Sequence, residues 1–175
     1  KFQLQPLGAT EAVSKLTSIK QFLGVDELAC VKFFDFDDSV SELISAAAND
    51  DDVEVIMLGI PNFQLPIFDS QNLIQVLENV VNAHRDKVTF QIAVSNEPYF
   101  NGVNPVDIEA VIAAIRSTTF GSDIGITVPF SYAIMEISFP VESGDFKDDF
   151  FTGYQNIMAN LIDFFTINCV SIKSV

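Results

Sequence analysis

Phe90-Gln91-Ile92-Ala93-Val94-Ser95-Asn96-Glu97-Pro98 is the stretch whose reading decides the fold. Its apolar centre has the near-continuous hydrophobicity of a strand buried on both faces, the kind found in parallel sheets. It stops at a polar pair. Proline has no amide proton to give a ladder, so the strand is expected to end at Pro98. That places the carboxylate of Glu97 at the carboxyl tip of a buried strand. In parallel α/β folds ligands bind beyond such tips, and barrel enzymes carry their catalytic groups there. Glu97 is therefore the first candidate for chemistry.

Working outward, Val53 to Ile60 is a second near-continuous apolar run, closed by Gly59-Ile60-Pro61-Asn62. Val31 to Phe36 and Asp123 to Pro129 read as further strands. Helical spacing separates them. Residues 12–23 carry Val13, Leu16, Ile19, Phe22 and Leu23 on an inward stripe, with Gly24 as a stop. Ser39 opens a short helix with Val40, Leu43, Ile44 and Ala47 on one face. Leu73, Ile74, Leu77, Val80 and Val81 mark a third helix. Asn104-Pro105-Val106-Asp107 announces a fourth, with Asn104 as cap and Pro105 in the first turn. Its stripe is Ile108, Val111, Ile112 and Ile115. Asp148 to Phe165 is expected to be one long helix, with Phe150, Phe151, Phe164 and Phe165 packed inward. Cys169-Val170-Ser171-Ile172 opens one more strand.

Alternating strands and helices imply an α/β fold with a parallel sheet and right-handed crossovers. The 175 residues suffice for one domain with a core of its own. A doubly wound open sheet and a (β/α)8 barrel both fit the alternation. A Gly-x-Gly-x-x-Gly motif and a phosphate loop are both missing, which lowers the nucleotide-binding version. A barrel usually takes about 250 residues, and this chain offers four or five strands. Periodicity alone does not choose.

Nine Lys and Arg against 24 Asp and Glu give a net charge of −15. Such a surface repels phosphate backbones and excludes nucleic acid as a partner. It suits neutral ligands such as sugars, and equally plain solubility. No apolar run approaches the ~20 residues of a membrane span. Lys1 to Gln5 lacks the apolar centre of a signal peptide. Cys30 and Cys169 fit one bridge or two free thiols, and neither a disulfide framework nor zinc. Asp50-Asp51-Asp52 has no spaced ligand loop after it, so a solvated turn is expected rather than a metal site. Asp35 sits at a strand tip and is a sugar-binding candidate. Asp37 and Asp38 divide between that role and helix capping. Asn62 suits sugar contact or ordinary turn chemistry. Of the 17 Phe, Phe34 and Phe130 lie at strand tips and are the stacking candidates. His84 lacks any nucleophile context and is expected on the surface.

Several strand-end motifs together resemble glycoside hydrolase family 17, the plant-type endo-β-1,3-glucanases. Val31-Lys32-Phe33-Phe34-Asp35-Phe36-Asp37 is similar to that family's second strand, Val-Arg-Ile-Tyr-Asp-Ala-Asp. Glu54 to Asn62 resembles the third. Ile92-Ala93-Val94-Ser95-Asn96-Glu97 resembles the fourth, usually Ile-Ala-Val-Gly-Asn-Glu, with Ser95 in place of the glycine. Ile126 to Phe130 resembles the fifth. Ser138-Phe139-Pro140-Val141-Glu142-Ser143-Gly144-Asp145-Phe146 resembles the loop after it, Ser-Tyr-Pro-Pro-Ser-x-Gly-x-Phe. The five motifs stand in order, and the resemblance covers roughly residues 10–168.

The resemblance implies a (β/α)8 TIM-type barrel, incomplete over residues 1–175, holding about strands two to five or six. It implies a retaining two-carboxylate hydrolysis of β-1,3-glucan, with no metal and no cofactor. Glu97 would be the acid/base. Asn96 would bond the sugar 2-hydroxyl, and Asp35, Phe34, Asn62, Tyr99 and Phe130 would complete the substrate site. A secreted or cell-wall location comes with the family. Its nucleophile lies in a Glu-Ser/Thr-Gly-Trp-Pro-like segment on the seventh strand, which has no counterpart here, and the chain has no Trp. The first strand also lacks a counterpart. The expected alternative is an inactive glucan-binding or structural protein. An open partial barrel exposes sheet edges, so self-association is expected with it.

Overall fold

A computed structural model describes residues 9–36, 40–69, 72–137 and 145–168. Asp37, Asp38 and Ser39, most of the 138–146 motif and the strand expected at 169–172 lie outside the described residues.

The centre is a parallel sheet of β1 (Cys30–Phe33), β2 (Val55–Ile60), β3 (Thr89–Val94) and β4 (Gly125–Thr127), paired in that order. Helices α2 (Ser41–Ala48), α3 (Leu73–His84) and α4 (Pro105–Arg116) connect successive strands. A doubly wound sheet reverses direction at a switch point, and its order is not sequential. This order is sequential throughout. Immediately after β4, β5 (Pro129–Ser131) leaves it to pair in parallel with β8 (Thr166–Asn168). A small antiparallel pair, β6 (Met135–Ile137) and β7 (Asp145–Phe146), precedes α5 (Asp148–Asn156). No closed barrel is present among the described residues.

The buried strands follow from their composition. Ile56, Leu58, Ile60, Ile92, Val94 and Ile126 are fully enclosed, as are the α4 residues Ile108, Val111, Ile112 and Ile115. Each such side chain stabilises the fold by ~1.5–3 kcal/mol over an exposed one. Asn104 caps α4 as expected, its Oδ1 accepting from the Val106 amide at 3.2 Å. Gly59 is needed for close packing, because a Cβ there would lie 3.0 Å from the Phe33 carbonyl oxygen.

Several expectations change. The first helix, α1 (Ala9–Leu23), buries Ala12 and Leu16 instead of its whole apolar stripe. Val13, Ile19, Leu23 and above all Phe22, at 90% exposed, face solvent, because only α2 packs closely on this helix. The long helix expected from 148 to 165 ends early. α5 runs to Asn156, a π-helical turn covers Ile157–Leu161, and Ile162 is extended. Phe164 and Phe165 thus lie in the link between that turn and β8, while Phe150 is enclosed and Phe151 is exposed. The strand expected over 123–129 is interrupted at Val128. A 3₁₀ segment, Asn62–Ile67, which the pattern did not indicate, follows β2 before α3.

Outside the sheet, Lys20 reaches both Asp50 and Asp52 at 2.9 Å. The aspartate run is therefore an ion-paired turn, tying α1 to the loop after α2. Those two hydrogen bonds raise the Lys20 ammonium above its usual range, and the Lys20 bond holds Asp50 below the usual carboxylate range. His84 is half-buried rather than on the surface, and Ser45 Oγ lies 3.1 Å from its Nε2.

Candidate functional site

The site forms where β2 and β3 end. β3 stops at Val94, earlier than Pro98, because the chain turns into left-handed backbone at Ser95 (φ +72°) and again at Glu97 (φ +48°). Non-glycine residues take this conformation rarely, and it persists only where surroundings over-determine it. Here Asn62 does so. Its Oδ1 accepts the Ser95 hydroxyl at 2.7 Å and the Asn96 amide at 2.8 Å, and its Nδ2 donates to the Asn96 carbonyl at 3.0 Å. Asn101 Nδ2 donates to the carbonyls of Asn96 and Glu97. The Glu97 amide donates to the Pro129 carbonyl at 2.8 Å. The amides of Ser95, Asn96 and Glu97 thus each have a partner, the first of them the Ile60 carbonyl at 2.9 Å.

This turn forms one wall of a cleft of about 330 Å³. Its lining includes Lys32, Phe34, Gly59, Pro61, Asn62, Ser95, Asn96 and Asn101. Phe34 is 68% exposed, and the Lys32 ammonium sits 4.8 Å above its ring centre. Burial lowers the Lys32 pKa, and a cation–π contact holds the ring in place. One face of the Phe34 ring therefore lies under the Lys32 ammonium, and the ring is otherwise open.

Of the residues singled out from sequence, Phe34, Asn62 and Asn96 share this cleft. Glu97 lies beside it, half-buried, with its Oε1 3.3 Å from Asn168 Nδ2. The same Asn168 Nδ2 donates to Asn96 Oδ1 at 3.0 Å. No other described side chain bonds the Glu97 carboxylate.

The other three do not join them. Phe130 is completely enclosed, stacked on Phe165 and edge-on to Phe150 and Tyr154, so it offers no face to a ligand. Tyr99 packs into the same aromatic cluster and gives its hydroxyl to Asp149 at 2.5 Å. That bond raises the Tyr99 pKa and lowers that of Asp149. Asp35 accepts from the Phe36 amide at 2.8 Å and from Gln64 Nε2 at 3.3 Å. It is spent on holding the loop after β1, and the buried Gln64 Oε1 beside it has no partner among the described residues.

Sequence reasoning missed Lys32, Asn101 and Asn168. Lys32 and Asn168 had a visible signal: each is a polar side chain inside an otherwise apolar strand run. Asn101 had none, since its role depends on how the turn folds back.

No family model and no curated protein matches the chain. Among solved structures, the chain is similar to CJP38, a β-1,3-glucanase and pollen allergen of Cryptomeria japonica. The TM-score is 0.67 at 15% identity, over 90% of this chain and 51% of that one. It is also similar to a structure from a study of two plant β-glucan endohydrolases with distinct substrate specificities. There the TM-score is 0.55 at 19% identity, over 97% of this chain and 54% of that one. The chain spans about half the length of these proteins, and the likeness is one of fold.

Proposed function

We propose that this chain is a segment of a (β/α)8 barrel that binds β-1,3-glucan and supplies the proton donor of retaining endo-glucanase hydrolysis. The observation that carries the reading is the Asn96-Glu97 pair, held rigidly at the carboxyl end of central strand β3 beside a cleft walled by the exposed ring of Phe34. The sequential sheet order and the fold likeness to β-1,3-glucanases support it.

In this reading the apolar face of a glucosyl ring lies on Phe34. Asn96 Nδ2, which bonds no described residue, meets a sugar hydroxyl. Glu97, as carboxylic acid, protonates the leaving glycosidic oxygen. A second carboxylate ~5 Å away must attack the anomeric carbon for retention. Without such a partner the site would bind glucan and not turn it over, which is the second reading.

Laminarin separates the two. Reducing ends released by the 175-residue chain and abolished in Glu97→Gln would establish the enzyme. Binding without release would establish the binding protein. Absence of both sinks the glucan reading.

A further inference from the structure

We infer that Asn168 is a positioning residue that aligns Asn96 and Glu97 as a unit. One carboxamide nitrogen serves both: it donates to Asn96 Oδ1 at 3.0 Å and to Glu97 Oε1 at 3.3 Å. The two protons of that nitrogen point at two acceptors on consecutive residues. A glutamate at the end of a strand has three side-chain torsions to fix, and a donor that is itself fixed restricts them.

The donor is itself fixed. Asn168 ends β8, in register opposite Ser131 of β5. Two residues earlier on β5, the Pro129 carbonyl accepts the Glu97 amide. Backbone and side chain of Glu97 are therefore tied to the same pair of strands. The register of β8 is locked upstream. Asp163 Oδ2 accepts from the Ile126 amide at 2.6 Å and from Arg116, while its own amide donates to the Ile126 carbonyl at 2.8 Å. The Thr166 and Thr127 hydroxyls meet at 2.9 Å. Asn168 is thus delivered to Glu97 by a strand held at two points, across 71 residues of sequence.

The consequence for glucan rests on the proposed function; the alignment itself does not. The test uses the full chain with ¹³C-glutamate and ¹⁵N-asparagine labels. In Asn168→Leu, without ligand, the Glu97 carboxyl carbon and the Asn96 side-chain amide should shift and broaden. The backbone resonances of α3 should stay in place. Asn168→Asp, the same shape without the donor, repeats the measurement should the leucine variant not fold. Thr17→Val, which removes a hydroxyl contact on α1 outside the cleft, should leave both resonances unmoved. Unchanged Glu97 and Asn96 resonances in the folded Asn168 variants overturn the inference. In a laminarihexaose titration, Asn168→Leu should bind roughly fivefold more weakly than the natural chain, as the loss of one net hydrogen bond implies. Equal affinity overturns the inference too. A natural chain that does not respond to laminarihexaose refutes the glucan reading instead, and the ligand-free spectra still decide Asn168.

Discussion

Asn62 and Asn96 grip each other through one side chain: Asn62 Oδ1 accepts the Asn96 amide at 2.8 Å, and Asn62 Nδ2 returns to the Asn96 carbonyl at 3.0 Å. The side chain thereby imitates a strand partner for a residue that has left the sheet. The end of β2 dictates the shape of the end of β3, and the cleft between them is a product of that grip.

Removing it should be costly. Asn62→Ala deletes both bonds and the Ser95 contact, leaving half-buried polar groups unpaired. A loss of about 2–3 kcal/mol is expected in urea unfolding. Asn62→Asp keeps the acceptor and loses the donor, so it should fall between the alanine variant and the natural chain. Equal stability of the alanine variant and the natural chain would show that the turn is held elsewhere.

Ser95 stands where the resembled family has glycine, and its φ of +72° shows why glycine suits the place. A non-glycine residue there bears roughly 1 kcal/mol of backbone strain, offset by the hydroxyl bond to Asn62 at 2.7 Å. Ser95→Gly exchanges one for the other and should stay within about 1 kcal/mol of the natural chain. Ser95→Ala keeps the strain and loses the bond, so it should be the less stable of the two. The reverse ranking by thermal melting would contradict this account.

His84 is the single histidine of the chain, so stability changes between about pH 5 and 7 report on it. Burial first, and Lys87 second, lower its pKa below 6.5. The unfolded chain then takes up a proton before the folded one does. The stabilisation is full above the unfolded value and is lost as pH falls through the folded one. Denaturant midpoints should decline from pH 7 to 5 in the natural chain. His84→Asn should flatten that slope, and a slope that survives the substitution would assign it to other groups.

Asp163 docks the last described strand. Burial alone would push its carboxyl up, yet the Ile126 amide and Arg116 together hold it below the usual range. Its contribution is present at neutral pH and is lost as pH drops through that lowered value. Asp163→Ala should cost about 1–2 kcal/mol and should loosen β8 selectively. Hydrogen exchange at residues 166–168 should accelerate while β2 and β3 stay protected.

Much of the fold was legible because its strands are buried on both faces and its best helix carries an explicit cap. Val55–Ile60, Thr89–Val94 and the Asn104-capped α4 lie where the pattern put them. The misreadings share one cause. Periodicity locates an apolar stripe, and it does not say whether another element exists to cover it. The α1 stripe lies largely open for want of a neighbour, and the stripe at 148–165 is divided between a helix, a π-helical turn and the link that follows. Phe130 was expected at a strand tip and lies in the middle of β5, Tyr99 lies in the turn after β3, and both rings turn inward into an aromatic cluster that no local spacing encodes.

The sequence by itself determined the α/β class, the buried strand and the presence of an Asn-Glu pair at its end, because hydrophobic runs and breakers act locally. Only the tertiary structure decided that Ser95 and Glu97 adopt left-handed backbone, that Asn62 holds the turn and that Asn168 meets Glu97. Those contacts join residues 33 and 71 positions apart. They exist because parallel strands bring their carboxyl ends to one edge, a geometry set by the sheet as a whole.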